Sequence, residues 1–97
     1  MNLSQYRLNK IHFIGIGGSG MSGIAEVLNN LGYAVSGSDT NSSENTARLE
    51  KMGIDISYDH KAKNLDSVEM VVKSTAIAEN NPELIEARRR FIPVLAR

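Results

Sequence analysis

Gly15-Ile16-Gly17-Gly18-Ser19-Gly20 places four glycines in six residues, between an apolar run and a segment with helical spacing. Upstream, Ile11-His12-Phe13-Ile14-Gly15-Ile16 has the branched and aromatic content of a strand buried on both faces, as a parallel sheet requires. Downstream, Met21, Ile24, Ala25, Leu28 and Leu31 follow the i, i+3, i+4, i+7 rule and predict a helix from Ser19 or Gly20, closed by Gly32. A strand turning through glycines into an amphipathic helix is the opening of a βαβ unit, and the rest of the chain has to fit that beginning.

It does so by repeating the alternation. Tyr33–Ser38 reads as a second strand, Asp39–Asn45 as a loop of turn formers, Thr46–Met52 as a short helix closed by Gly53, and Ile54–Tyr58 as a third strand. Asp59–Ser67 is polar and irregular. Val68–Ile77 holds the most apolar strand, centred on Met70, Val71 and Val72. The last helix has the clearest start, with Asn81 as N-cap, Pro82 at the first helical position and Glu83 set against the helix dipole, and it runs to Arg90. Ile92–Ala96 is a fifth strand, with Pro93 near its start. The order β-α-β-α-β-β-α-β predicts an α/β, Rossmann-like open parallel five-stranded sheet with helices on both faces, in a single domain over residues 10–97. Residues 1–9 are polar, without period, and read as a lead-in segment.

Composition removes several classes of function. Ninety-seven residues suffice for one core but not for separate catalytic and substrate domains. Eleven basic and eleven acidic residues cancel, which leaves no global field for nucleic acid or an anionic membrane surface. No cysteine is present, so disulfides and thiol chemistry are excluded. The longest apolar stretches fall far short of the roughly 20 residues needed to span a bilayer, and the expectation is a cytoplasmic protein.

The glycine loop matches G-x-G-x-x-G in the structural context that motif needs. Gly15 would make the tight turn, Gly17 would let the backbone approach a pyrophosphate, and Gly20 would permit close packing of helix on strand. Amides without intrahelical partners, at the positive end of the helix dipole, form an anion site that needs no lysine. Ser19 and Ser22 add hydroxyls at that end. Asp39, nineteen residues past Gly20, stands where an acidic side chain often binds the ribose of NAD, so spacing alone admits an NAD(H)-binding module of a dehydrogenase or regulatory domain. No Gly-Lys-Ser or Gly-Lys-Thr occurs, so ATP has no recognisable site.

Read outward from the loop, His12-Phe13-Ile14-Gly15-Ile16-Gly17-Gly18-Ser19-Gly20-Met21-Ser22-Gly23-Ile24-Ala25 resembles the opening of the Mur ligase family, in particular its members that join L-alanine to UDP-N-acetylmuramate. Gly37-Ser38-Asp39, His60, Ser74-Thr75-Ala76-Ile77, Asn81-Pro82-Glu83 and Ile92-Pro93-Val94 agree with that pattern in order, over residues 10–97. A sister ligase of the family, which attaches a tripeptide to the same nucleotide sugar, departs from Gly-Ile-Gly-Gly at the third and fourth positions of its loop.

The resemblance implies the N-terminal domain of a three-domain enzyme that works through an acyl phosphate. The first domain would hold the UDP part of UDP-N-acetylmuramate, while the missing central and C-terminal domains would bring ATP, Mg2+, the catalytic residues and the amino-acid site. No catalytic residue, metal ligand or cofactor is expected in the 97 residues themselves. Gly15, Gly17, Gly18, Ser19, Gly20, Met21 and Ser22 would line the diphosphate, Ser38, Asp39 and Thr40 the uridine, and His60 with Ser74, Thr75, Ala76 and Ile77 the remainder of the nucleotide sugar. Asp39 has a plainer alternative as the cap of an Asx turn. His12, inside the first strand, reads as a sheet histidine, and Arg88-Arg89-Arg90 as a solvated helix end.

Overall fold

Side-chain alternation along the first strand decides the layering. In the computed structural model, which describes residues 10–97, Ile11 and Phe13 of β1 (Lys10–Ile14) enter one core cluster and Ile14 enters another on the opposite face. The lead-in expected over residues 1–9 lies outside the described residues. The first cluster joins β1 to α1 (Ser19–Asn30) and α2 (Glu44–Lys51) through Met21, Ala25 and Leu49. The second joins Ile14 and Val71 to Leu84 and Ala87 of α3 (Pro82–Arg89) and to Leu65, which closes a 3-10 turn over Ala62–Leu65.

The sheet also contains β2 (Ala34–Ser38), β3 (Asp55–Ser57), β4 (Met70–Lys73) and β5 (Val94–Ala96), in the order β3-β2-β1-β4-β5. Every neighbouring pair is parallel, with Ile14 level with Ser38 on one side and with Lys73 on the other. The expected five-stranded parallel sheet with helices on both faces is therefore present. The chain steps outward from β1 through β2 to β3, then returns to lay β4 on the far side of β1. This reversal opens a crevice at the carboxyl ends of β1 and β4, the place where open α/β sheets bind ligands.

Element boundaries moved for local reasons. β1 ends at Ile14 rather than Ile16 because Gly15, at φ +84°, turns the chain out of the sheet. α2 begins at Glu44, two residues before the expected Thr46. Ser43 caps it: its Oγ accepts from the Thr46 N–H at 3.2 Å, and its own N–H donates to Thr46 Oγ1 at 2.8 Å. Threonine there does the work usually given to Glu or Gln. The fourth strand stops at Lys73, where Ser74 starts a turn, and the fifth starts late, at Val94, after Phe91 takes a positive φ of 57°. Asn81 caps α3 as expected, its Oδ1 accepting from the Glu83 N–H at 2.9 Å.

One role of the glycine motif is reassigned. A Cβ on Gly20 would meet nothing within 4 Å, so that residue does not serve close helix–strand packing. The tight approach is made at Gly37 in β2, where a Cβ would overlap the Ile16 side chain, 2.7 Å from its Cβ and 2.9 Å from its Cγ2.

Candidate functional site

The residues expected to line the nucleotide sugar lie at or beyond the carboxyl ends of β1, β2, β3 and β4, along one edge of the sheet. The glycine loop is held there from below. The Ser38 carbonyl accepts from the N–H groups of both Gly15 (2.8 Å) and Ile16 (3.0 Å), and the Gly18 N–H donates to the Gly15 carbonyl. Asp39 closes the loop from the side. Its Oδ2 accepts from the Gly17 N–H at 2.8 Å while its Oδ1 accepts from the Asn41 N–H at 3.1 Å. The Asx turn is thus real, and the same carboxylate also ties β2 to the loop. Asn45 completes the clasp by donating to the Gly17 carbonyl at 3.0 Å.

With the Gly17 and Gly18 amides engaged, the N–H groups of Ser19, Gly20 and Met21 have no acceptor among the described residues, and Gly18 caps α1 without any side-chain bond. No acidic residue occupies the first turn. Three convergent donors at an uncapped, exposed helix N-terminus carry a partial positive charge that suits phosphate oxygens. Gly20 leaves the approach open. The Met21 and Ser22 side chains are buried, the Ser22 hydroxyl lies 3.4 Å from both the Ser19 carbonyl and Arg48 Nη2, and the Ser22 N–H donates to the Gly18 carbonyl at 2.8 Å, so of these two residues only Met21 offers the crevice a donor, its amide.

Across the crevice, Ser74 and Ile77 come within van der Waals reach of the position a Gly15 Cβ would take, 3.3 and 3.4 Å away. The Ser74 Oγ accepts from the Ala76 N–H, and the exposed Thr75 donates its N–H to the Arg97 carbonyl. Thr40 is exposed beside Asp39. His60 is not a free surface residue: its Nδ1 lies 2.9 Å from the Ser38 Oγ and its side chain is 15% exposed.

Beneath this edge lies a cluster that local sequence reading did not foresee. Glu83, read as a helix-dipole residue, is fully buried against the sheet face that carries His12, Ser36 and Ser38. His12 Nε2 donates to Glu83 Oε1 at 2.7 Å, and the Ser38 hydroxyl donates to the same oxygen at 2.7 Å. The Lys61 N–H (3.0 Å) and Asn64 Nδ2 (2.7 Å) donate to Oε2. His12 Nδ1 is bonded to the Ser36 Oγ at 2.8 Å. One signal for it was available in the sequence: polar residues at 12, 36 and 38, in strands covered on both faces, require buried partners.

Burial pushes the Glu83 carboxyl up, but the His12 hydrogen bond and charge, with the bonds from Asn64 and Ser38, outweigh it and hold the group below its ordinary 4.5. A depressed carboxyl stabilises the fold above its unfolded pKa, and that stability is lost as pH falls through the folded value. Partly buried Glu86, lowered to about 2 by its bonds to Arg89 and Arg90, acts in the same direction. Melting temperature is therefore expected to fall as pH drops below 4.5, as followed by circular dichroism, and Glu83→Gln should flatten that fall. An equal slope in the variant would remove Glu83 from the explanation.

Two other features carry less chemistry. A cleft of about 610 Å3 on the α1 face, away from the glycine loop, has mainly apolar walls from Ile11, Ile24, Leu28, Met70, Val72 and Leu95, with Tyr33 and Arg97 as its polar lining. Arg88, Arg89 and Arg90 are drawn to Glu79, Glu86 and Asp66 rather than forming a free basic patch. Among the described residues, no group of three metal-ligating side chains occurs, and no helix is long and apolar enough to cross a membrane.

Comparison with known proteins agrees with this geometry. The profile of the family described as "Mur ligase family, catalytic domain" matches residues 10–97. UDP-N-acetylmuramate--L-alanine ligase of Anaeromyxobacter dehalogenans (strain 2CP-C) is 59% identical over all 97 residues, which correspond to 21% of that protein. The crystal structure of UDP-N-acetylmuramate-alanine ligase from Thermotoga maritima superposes with a TM-score of 0.87 at 42% identity, over 91% of this chain and 20% of that one. UDP-N-acetylmuramate:L-alanyl-gamma-D-glutamyl-meso-diaminopimelate ligase from Neisseria meningitides gives 0.83 at 27% identity, over 92% of this chain and 28% of that one. The chain thus spans about a fifth of the length of the curated relatives it matches.

Proposed function

The chain belongs to the Mur ligase family, and we propose that it is the N-terminal domain of a bacterial ligase that joins L-alanine to UDP-N-acetylmuramate in peptidoglycan synthesis, and that it holds the UDP part of that substrate. The observation that carries this reading is the set of three unengaged amides, Ser19, Gly20 and Met21, at the crevice between β1 and β4, in a chain 59% identical to such a ligase.

The diphosphate would rest on those amides. Gly15, Gly17 and Gly18 shape the loop, and Ser22 lies at its base. Asp39 and Thr40 would meet the uridine, with Ser38 supporting them from beneath. His60 and the Ser74–Ile77 turn would border the rest of the nucleotide sugar. ATP and Mg2+ would be brought by the central domain of the longer protein, where the muramic acid carboxylate becomes an acyl phosphate that the alanine amino group attacks. None of these steps is assigned to the residues described. Such an enzyme would work in the cytoplasm, and its partners would be the nucleotide sugar and its own other domains rather than nucleic acid or membrane.

An NAD(H) module would share the glycine loop and the acidic residue after β2, but relatives 56–62% identical to the chain are L-alanine ligases. Between the two ligase types, the Gly-Ile-Gly-Gly loop and 42% against 27% identity favour the L-alanine enzyme. Parallel calorimetric titrations with UDP-N-acetylmuramate, UDP and NADH test the reading. Heat from the two UDP compounds and none from NADH is expected; binding of NADH alone would overturn it.

A further inference from the structure

The buried carboxylate of Glu83 receives four donors, two on each oxygen. An ionised carboxylate is an acceptor only, so the Ser38 hydrogen, the one that hydroxyl possesses, is committed to Glu83. The Ser38 oxygen can then only accept from His60, 2.9 Å away, which places a proton on His60 Nδ1. Nε2 of the same ring makes no hydrogen bond among the described residues, and solvent reaches it.

We propose that Glu83 is a positioning residue for nucleotide-sugar binding: through the Ser38 hydroxyl it holds His60 as the Nδ1–H tautomer, so that Nε2 offers a lone pair to an O–H or N–H of the ligand at the carboxyl edge of the sheet. This rests on the ligand reading given above and adds to it the direction of one hydrogen bond. Glu83 itself touches no ligand. The lowered pKa of Glu83 supports the ionised state that the relay requires.

The relay explains why the last helix begins with glutamate two residues after its cap. The Asn81 cap and Pro82 point the first turn of α3 at the sheet, and Glu83 enters between β1 and β2. From there it reaches the ends of β2 and of the β3 loop at once, and Ser38, which it fixes, carries the glycine turn on its carbonyl. His12 closes the opposite side and fills the remaining lone pair on Oε1.

Glu83→Gln gives a sharp test because glutamine has the same shape but one accepting oxygen and one donating nitrogen in place of two accepting oxygens. With its oxygen toward the Lys61 N–H and Asn64 and its amide nitrogen toward His12 and Ser38, every group is again satisfied, provided His12 Nε2 and His60 Nδ1 each accept. The Ser38 hydroxyl then donates to His60 Nδ1, and the His60 proton moves to Nε2, presenting a donor where the wild-type chain presents an acceptor.

The experiment is long-range 1H–15N correlation NMR of the 97-residue chain with 15N-histidine, on wild type, Glu83→Gln and Ser38→Ala, followed by titration with UDP-N-acetylmuramate. The expected results are Nδ1–H for His60 in wild type, Nε2–H in Glu83→Gln, and averaged tautomers in Ser38→Ala, where the relay is cut and the buried carboxylate keeps three of its four donors. Affinity in Glu83→Gln should drop about tenfold, since one hydrogen bond of the complex becomes a meeting of two donors. If Glu83→Gln does not fold, Ser38→Ala decides, and a fixed Nδ1–H tautomer there overturns the relay. His60 as Nε2–H in wild type overturns it as well. Tautomers that exchange with no change in affinity overturn the claim that Nε2 accepts from the ligand. Tautomers that exchange in a chain that binds no UDP-N-acetylmuramate leave the relay standing and remove the nucleotide-sugar reading instead.

Discussion

Gly37→Ala is expected to lower the melting temperature of the chain by on the order of 15 °C. The reason lies in a contact between a strand and a turn. Gly37 faces the α1 side of β2, and the fully buried Ile16 side chain lies directly on it. A new Cβ would stand 2.7 Å from the Ile16 Cβ and 2.9 Å from its Cγ2. The Ile16 Cβ is attached to backbone that the Ser38 carbonyl holds at 3.0 Å, so rotation of the side chain does not relieve the overlap. Either the turn lifts from the sheet or β2 moves away from β1. Overpacking of this kind costs about 3 kcal/mol, a large part of the 5–15 kcal/mol typical of a domain. Thermal melts of Gly37→Ala, Ile16→Ala and the double variant check the mechanism, because removing the Ile16 side chain vacates the space. The double variant should lose much less than the sum of the singles; additive losses would place the damage elsewhere.

Gly17→Val is expected to do the reverse, abolishing nucleotide-sugar binding with a modest loss of stability. Here a Cβ would lie 2.8 Å from Asp39 Oδ2 and 3.1 Å from Thr46 Cγ2. The carboxylate is the far end of a half-buried side chain and can swing aside, and Gly17 does not require a positive φ. What is lost is the clasp: the Gly17 N–H loses its acceptor, Asp39 leaves the place proposed for the uridine, and the loop that presents the Ser19, Gly20 and Met21 amides is no longer held to β2. A stability loss of about 1–2 kcal/mol, from one hydrogen bond and local crowding, is expected by thermal melting. Calorimetry with UDP-N-acetylmuramate should show no heat of binding. Binding at wild-type strength would move the diphosphate away from this loop.

Much of this architecture was legible because it is written locally. Helical spacing from Met21 to Leu31, the apolar runs of β1 and β4, and the Asn81-Pro82 start of α3 each depend on residues within one or two turns. Gly32 and Gly53 stop their helices at positive φ, as their positions suggested. What escaped depends on partners far apart in the chain. Glu83 was read from its helix alone, where an acidic residue in the first turn is favourable anyway, whereas its partner His12 is 71 residues away. The role expected of Gly20 fell to Gly37 because the closest approach is between a turn residue and the next strand, a relation that motif spacing does not encode. Asp39 was read as either a ligand contact or an Asx cap. Its two oxygens allow it to cap one loop and hold another, and the Gly17 amide, expected to face the diphosphate, is the group it holds.

Backbone amide NMR of the chain during addition of UDP-N-acetylmuramate tests the proposed site most directly. The Ser19, Gly20 and Met21 amides should move first and furthest, with Asp39 and Thr40 following and α3 beyond its first turn unaffected. Saturating ligand with those three amides unmoved, or shifts confined to the apolar cleft around Leu28 and Leu95, would contradict the assignment of the diphosphate to the start of α1.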